Sequence, residues 1–225
     1  RSTDAPGEGP IWAALLVNTG LVLAFGLQHS VMARPTFKRY WTRFVPKPVE
    51  RSTYVMATNL VLVLMFWLWR PMGPTIWNVE SPVGRTILYS LFGVGWLIVL
   101  VTTFLINHFD LFGLRQVWLY LRGMEYTGPR FVTPGPYKYV RHPLYVGWLT
   151  VFWATPTMTA AHLVFTLGMT AYILVAIQFE ERNLAENHAE AYVEHKKRVG
   201  MCRAALRRLH RAPSNPAAVN SSTAT

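Results

Sequence analysis

The apolar positions of this chain gather into five runs separated by basic, proline-bearing connections. The first covers 11–32 and reads IWAALLVNTGLVLAFGLQHSVM. The second covers 54–69 (YVMATNLVLVLMFWLW), and the third 83–106 (VGRTILYSLFGVGWLIVLVTTFLI), with Arg85 near its outer end. About 20 apolar residues carry a helix across a bilayer core, so these runs predict transmembrane helices. The fourth, 144–155 (LYVGWLTVFWAT), is short, and the fifth covers 162–179. At ~1.5 Å per residue the fourth reaches roughly 18 Å, less than a ~30 Å core. It therefore reads as one arm of a hairpin with the fifth, both hairpin ends being cytoplasmic whether or not that arm crosses fully. The pattern predicts an all-α, polytopic membrane helix bundle of about five helices, in one domain over 1–225.

Beyond the fifth run, EERNLAENHAEAYVEHKKRV places Leu184, His188, Tyr192, His195 and Val199 at spacings of three and four. That predicts a cytoplasmic C-terminal helix with one apolar-aromatic stripe. The small, polar residues of 213–225 are expected to be disordered. Before the fourth run, TGPRFVTPGPY carries Pro129, Pro134 and Pro136, which resist helix and predict a stiff connection. The opening RSTDAPGEGP lacks the basic start feeding a short apolar core that marks a signal peptide.

Composition supports the membrane reading. Hydrophobic residues make up 52% and charged residues 15%, where a soluble domain carries nearer ~25% charged. The net charge of +11 would suit nucleic acid, but its placement argues otherwise. Arg34, Lys38, Arg39, Arg43, Lys47 and Arg51 lie between the first two runs. Arg115, Arg122, Arg130, Lys138 and Arg141 lie between the third and fourth, and eight more basic residues follow the fifth. Arg1, Arg70 and Arg85 alone fall on the other side. This positive-inside pattern predicts an N-terminus outside and a C-terminus in the cytoplasm. Attraction to the lipid bilayer explains the charge without a nucleic-acid partner. The lone Cys202 rules out an intrachain disulfide and a thiolate-rich metal site.

On this topology His29, His108, Asp110, His142, Glu180 and Glu181 all fall near the cytoplasmic ends of the runs. Ionisable groups at membrane depth are costly and face a bundle interior or a wet pocket, so the cluster predicts a polar cavity open to the cytoplasm. No glycine-rich phosphate loop, no HxxxH metal spacing and no Gly-x-Ser-x-Gly elbow is present. No metal is expected. A ligand with a carboxylate, an ammonium and an apolar ring would suit the mixture. Arg141 could pair with its carboxylate, Glu180 or Glu181 with its amino group or ribose, and aromatic rings with a ring or a sulfonium.

The segment RHPLYVG, 141–147, resembles the Arg-His-Pro-x-Tyr-x-Gly signature of the isoprenylcysteine carboxyl methyltransferase and phospholipid methyltransferase superfamily. EERNL, 180–184, resembles its Glu-Glu-x-x-Leu motif, about one helical hairpin later. HAEAYVEHKKRVG is similar to the closing motif at Tyr192 and Val199, and departs from it at His188, His195 and Gly200. INHFDLFGLRQVWLYLRG, 106–123, and FGLQHSVMARPTFKRYW, 25–41, are similar to the methanethiol S-methyltransferase subgroup. The resemblance implies S-adenosylmethionine as methyl donor, a small thiol as partner substrate and dimethyl sulfide as product. It implies a cofactor site of Arg141, His142, Pro143, Tyr145, Gly147, Glu180 and Glu181. Pro143 suits a first helical turn whose free N–H groups face an anion.

A thiol near neutral pH is mostly protonated, Cys at about 8.5 being the reference, so a base would help. His108, Asp110 and His29 are the candidates, and if Asp110 orients an imidazole, it is that of His29 rather than His108. Arg115, Trp118 and Tyr126 are candidates for the substrate end. Two rival readings stand beside this one. One is another acceptor within the superfamily: an isoprenylcysteine carboxylate, a phospholipid amine or a different small thiol. The other is a non-enzymatic quinone- or haem-associated subunit, which would favour paired histidines deep within the spans.

Overall fold

A computed structural model describes residues 9–128 and 135–187. Four of its helices are long and apolar enough to cross a membrane. They are α1 (Ile11–Ala33), α3 (Glu50–Leu68), α4 (Pro82–Leu105) and α8 (Ala160–Asn187). Short helices α2 (Pro35–Trp41), α5 (His108–Leu111) and α6 (Leu114–Leu121) fill the connections, and α7 (Pro143–Trp153) precedes α8. The protein is thus an all-α polytopic membrane bundle. Many apolar side chains of its long helices, such as Leu16, Leu23, Leu27, Met56, Trp67 and Leu97, are exposed. Such apolar surface is sustainable only against lipid.

A narrower inner face makes the core. Val22 and Phe25 of α1, Met65 of α3, Val151 and Phe152 of α7, and Met169, Ile173 and Ile177 of α8 pack together, joined by Trp69. Helix α7 lies along α4, and glycine sets the distance. A Cβ on Gly95 would stand 3.1 Å from the Gly147 carbonyl oxygen, and one on Gly147 would stand 3.0 Å from that of Gly95. Gly93, two residues away, has nothing within 4 Å. Of the two glycines, Gly95 makes the close small-residue contact with α7.

Helix α7 holds 11 residues, or ~16 Å. Beyond it the chain runs out through Thr155 into strand β2 (Thr157–Thr159), which pairs antiparallel with β1 (Thr75–Asn78) from the α3–α4 connection. The Val79 amide donates to the Pro156 carbonyl at 2.8 Å, and the Trp77 indole to that of Thr155 at 3.2 Å. The short arm thus reaches the far end of the bundle through helix plus extended chain. Its free backbone groups are met by β1, as a low-dielectric surrounding demands. Neither strand was expected from the sequence.

At that same end Asn18, fully buried on α1, clamps the chain where α3 stops. Its Nδ2 donates to the Arg70 carbonyl at 2.7 Å, and its Oδ1 accepts from the Arg70 amide at 2.9 Å. Arg85 sits beside it in kind rather than in place: its guanidinium reaches the Val79 carbonyl and the Tyr89 hydroxyl, a terminal anchor for α4. The expected tail helix bearing His188, Tyr192, His195 and Val199, the disorder of 213–225, and Pro129 and Pro134 lie outside the described residues.

Candidate functional site

The opposite end of the bundle brings together the start of α7 and the last turns of α8. His142 is the residue before α7, and Pro143 opens it, where a missing N–H leaves no broken bond. The amides of Tyr145 and Val146 turn back onto the His142 carbonyl, which closes the first turn. This turn points Arg141, His142 and Tyr145 toward two consecutive carboxylates. Arg141 Nη1 lies 2.6 Å from Glu181 Oε1, and His142 Nε2 lies 3.3 Å from the same oxygen. The Tyr145 hydroxyl donates to Glu180 Oε2 at 2.8 Å, and His142 Nδ1 stands 3.8 Å from that oxygen. Two segments well separated in sequence are thereby joined by three hydrogen bonds and one longer His142–Glu180 contact.

The sequence expected Arg141 to be free for an anion, whereas here its guanidinium is neutralised by Glu181. Its Nε is buried and has no hydrogen-bond partner among the described residues. Tyr137, in the 3-10 turn Gly135–Lys138, joins the site unannounced by the sequence reading: burial, and then the Glu180 carboxylate, push its hydroxyl well above the usual phenol range. Among the described residues, two carboxylates meet one guanidinium and one imidazole here. Gly147 is turned away from this cluster, its open side filled by Val99 and Gly95 of α4. The structure thus gives Gly147 a packing contact where a ligand contact was expected.

A second polar group adjoins the first. His29, half-buried on α1, has the Tyr54 hydroxyl of α3 at 2.7 Å from Nε2 and 3.0 Å from Nδ1. Thr58 Oγ1 is 3.3 Å from Nδ1. Phe25 stacks on the imidazole at 5.5 Å, and Tyr172 of α8 meets it edge-on at 6.0 Å. Tyr145 and Tyr172 pack against one core cluster that includes Phe25, which places the two groups on the same core. Neither Tyr54 nor Tyr172 was singled out from the sequence.

Asp110 occupies a third place. Asn107 takes a left-handed backbone with φ 83°, which its short polar side chain tolerates. Its Oδ1 accepts from the Asp110 amide, and its Nδ2 donates to Asp110 Oδ2, a reciprocal cap on α5. Arg115 Nη1 bonds the same Oδ2 at 3.0 Å. Among the described residues Asp110 Oδ1 has no hydrogen-bond partner, and the His29 ring is held by Tyr54 and Thr58. His108 lies apart, stacked on Phe104 at 4.4 Å with Nδ1 3.1 Å from Thr103 Oγ1.

Of the three candidates for the substrate end, Arg115 and Tyr126 meet around Asp110. The guanidinium lies 5.6 Å from the Tyr126 ring. Burial and the Asp110 carboxylate raise the Tyr126 hydroxyl above its ordinary value. Trp118 is 57% exposed on α6 with Arg122 stacked over it at 4.8 Å, so it faces away from Asp110's polar group as an interfacial anchor. Among the described residues no three His, Cys, Asp or Glu side chains converge as a metal site would require.

Comparison with known proteins agrees with this arrangement. Residues 95–189, which contain both carboxylates and the α7 start, match the isoprenylcysteine carboxyl methyltransferase family. The chain is 58% identical to methanethiol S-methyltransferase of Crocosphaera subtropica, over 89% of this chain and 79% of that protein. It is 51% identical to methanethiol S-methyltransferase of Mycobacterium tuberculosis, over 89% and 82%. It is also 30% identical to nurim of Bos taurus, over 77% and 69%. No solved structure matches.

Proposed function

This chain is a membrane methyltransferase that belongs to the isoprenylcysteine carboxyl methyltransferase family, in the branch of the methanethiol S-methyltransferases, and on that premise we propose that it methylates methanethiol to dimethyl sulfide. The observation that carries the reading is the bonded constellation of Arg141, His142 and Tyr145 with Glu180 and Glu181. S-adenosylmethionine, when bound, supplies a methyl group on a cationic sulfonium. Two carboxylates would take its ammonium and ribose hydroxyls. The buried Arg141 Nε, unpartnered among the described residues, would take its carboxylate, with the first turn of α7 beside it.

The thiol requires a proton acceptor near that methyl group. Among His29, His108 and Asp110, His29 has the strongest support, because Tyr172, which meets its ring edge-on, packs against the same core cluster as Tyr145. Arg115 and Tyr126 would line the approach from the cytoplasmic side, and the termini would lie as the positive-inside pattern dictates. Calorimetry with S-adenosylmethionine tests the site. Wild-type protein in micelles binds it, and His142→Ala weakens binding by roughly tenfold or more, the equivalent of about 1.4 kcal/mol. Equal affinity in both proteins would remove His142, and with it this placement of the donor.

A further inference from the structure

We propose that Tyr54 is the positioning residue that makes His29 the acceptor of the thiol proton, an inference that rests on the thiol methyltransferase reading above. Three observations carry it. Burial orders the pair: Tyr54 is 7% exposed while His29 is half-buried, so the imidazole is the more accessible of the two. Hydrogen bonding then fixes which part of the ring is available. One hydroxyl serves one nitrogen at a time, and Tyr54 is nearer Nε2, at 2.7 Å. Nδ1 is left with the longer 3.3 Å approach of Thr58. Finally, the phenol is itself held. The Arg51 guanidinium lies 5.2 Å from the Tyr54 ring, and Arg51 Nε donates to the Leu111 carbonyl at 2.8 Å, which braces α3 against α5.

The step balances as follows. The S–H proton of the thiol passes to His29 Nδ1, which gives up its 3.3 Å contact with Thr58, and its electron pair stays on sulfur. That sulfur forms a new C–S bond to the methyl carbon as the sulfonium C–S bond breaks, and the electrons of the broken bond leave the donor as a neutral thioether. The imidazolium then donates to the Tyr54 oxygen, which lowers the cost of the charge in a poorly solvated place. Neither His108, stacked on Phe104, nor Asp110, bonded to Arg115 and Asn107, has this support.

The test compares two thiols in one assay with purified protein and S-adenosylmethionine. Methanethiol must lose a proton to react, whereas trifluoroethanethiol is a stronger acid and enters largely ionised. Tyr54→Phe is expected to lower kcat on methanethiol by roughly 100-fold, and on trifluoroethanethiol by less than about threefold, a selectivity that a proton-transfer role requires and a packing role does not. His29→Gln is expected to show the same selectivity. Both variants should bind S-adenosylmethionine as wild type does. Equal losses on the two thiols, full activity of Tyr54→Phe on methanethiol, or lost donor binding in Tyr54→Phe would each overturn the inference alone. Wild-type protein that methylates neither thiol would overturn the functional reading itself and this inference with it.

Discussion

Replacing Glu181 by glutamine tests whether the α7–α8 pairing is an energetic unit. The Glu181 side chain is 11% exposed and that of Arg141 is 10% exposed, so water does little to screen the pair. A single Glu181 oxygen serves both Arg141 at 2.6 Å and His142 at 3.3 Å. Glutamine keeps the shape and one acceptor but removes the charge. A charge-assisted bond contributes about 1.5–3 kcal/mol and a neutral one about 1. Breaking a buried pair outright costs about 3–5 kcal/mol, because the remaining charge is stranded. Glu181→Gln should therefore destabilise the fold by about 2–3 kcal/mol, between these limits. Removing both charges, in Arg141→Met with Glu181→Gln, should recover most of that loss, since an apolar replacement of a buried pair is often neutral. Reversible unfolding in mixed micelles, run as a double-mutant cycle, gives the coupling directly. A coupling below about 0.5 kcal/mol would refute the argument and reduce the contact to an incidental surface ion pair.

Two further predictions concern the frame. Gly147→Val places two methyl groups where Val99 and the Gly95 carbonyl already stand, so it should force α7 off α4, costing about 1–3 kcal/mol and weakening donor binding, as read by unfolding and calorimetry. Asn18→Ala removes both bonds to the Arg70 backbone from a fully buried side chain, and should lower stability by about 2–4 kcal/mol while leaving kcat of the folded protein unchanged.

The long helices were legible because a membrane span needs only length and apolar composition. Four of the five runs became long helices, α1, α3 and α4 close to their expected bounds and α8 running on past 179 to Asn187. The shortness of the fourth run was legible too. Its partner strands were not, because TIWN and TMT are too short to show alternation and become strands by pairing with each other across the bundle end. The site divides in the same way. Arg141, His142, Tyr145, Glu180 and Glu181 sit in two compact motifs, so local pattern found them. Tyr54, Tyr137 and Tyr172 come from three separate elements and carry no motif. An aromatic residue near a membrane interface reads first as an anchor, and only the packing of α1, α3 and α8 reveals that Tyr54 and Tyr172 surround His29. Asp110 and His29 are close in role but not bonded, a distinction set by Asn107 and Arg115.

The central claim is tested most directly by following one methyl group. Purified protein is given S-adenosylmethionine labelled with carbon-13 in its methyl group, together with methanethiol, and the headspace is read by mass spectrometry. The account predicts dimethyl sulfide carrying one labelled carbon, formed in proportion to protein and lost in His142→Ala. Bound donor with no labelled dimethyl sulfide would contradict it, and would move the search for an acceptor away from methanethiol.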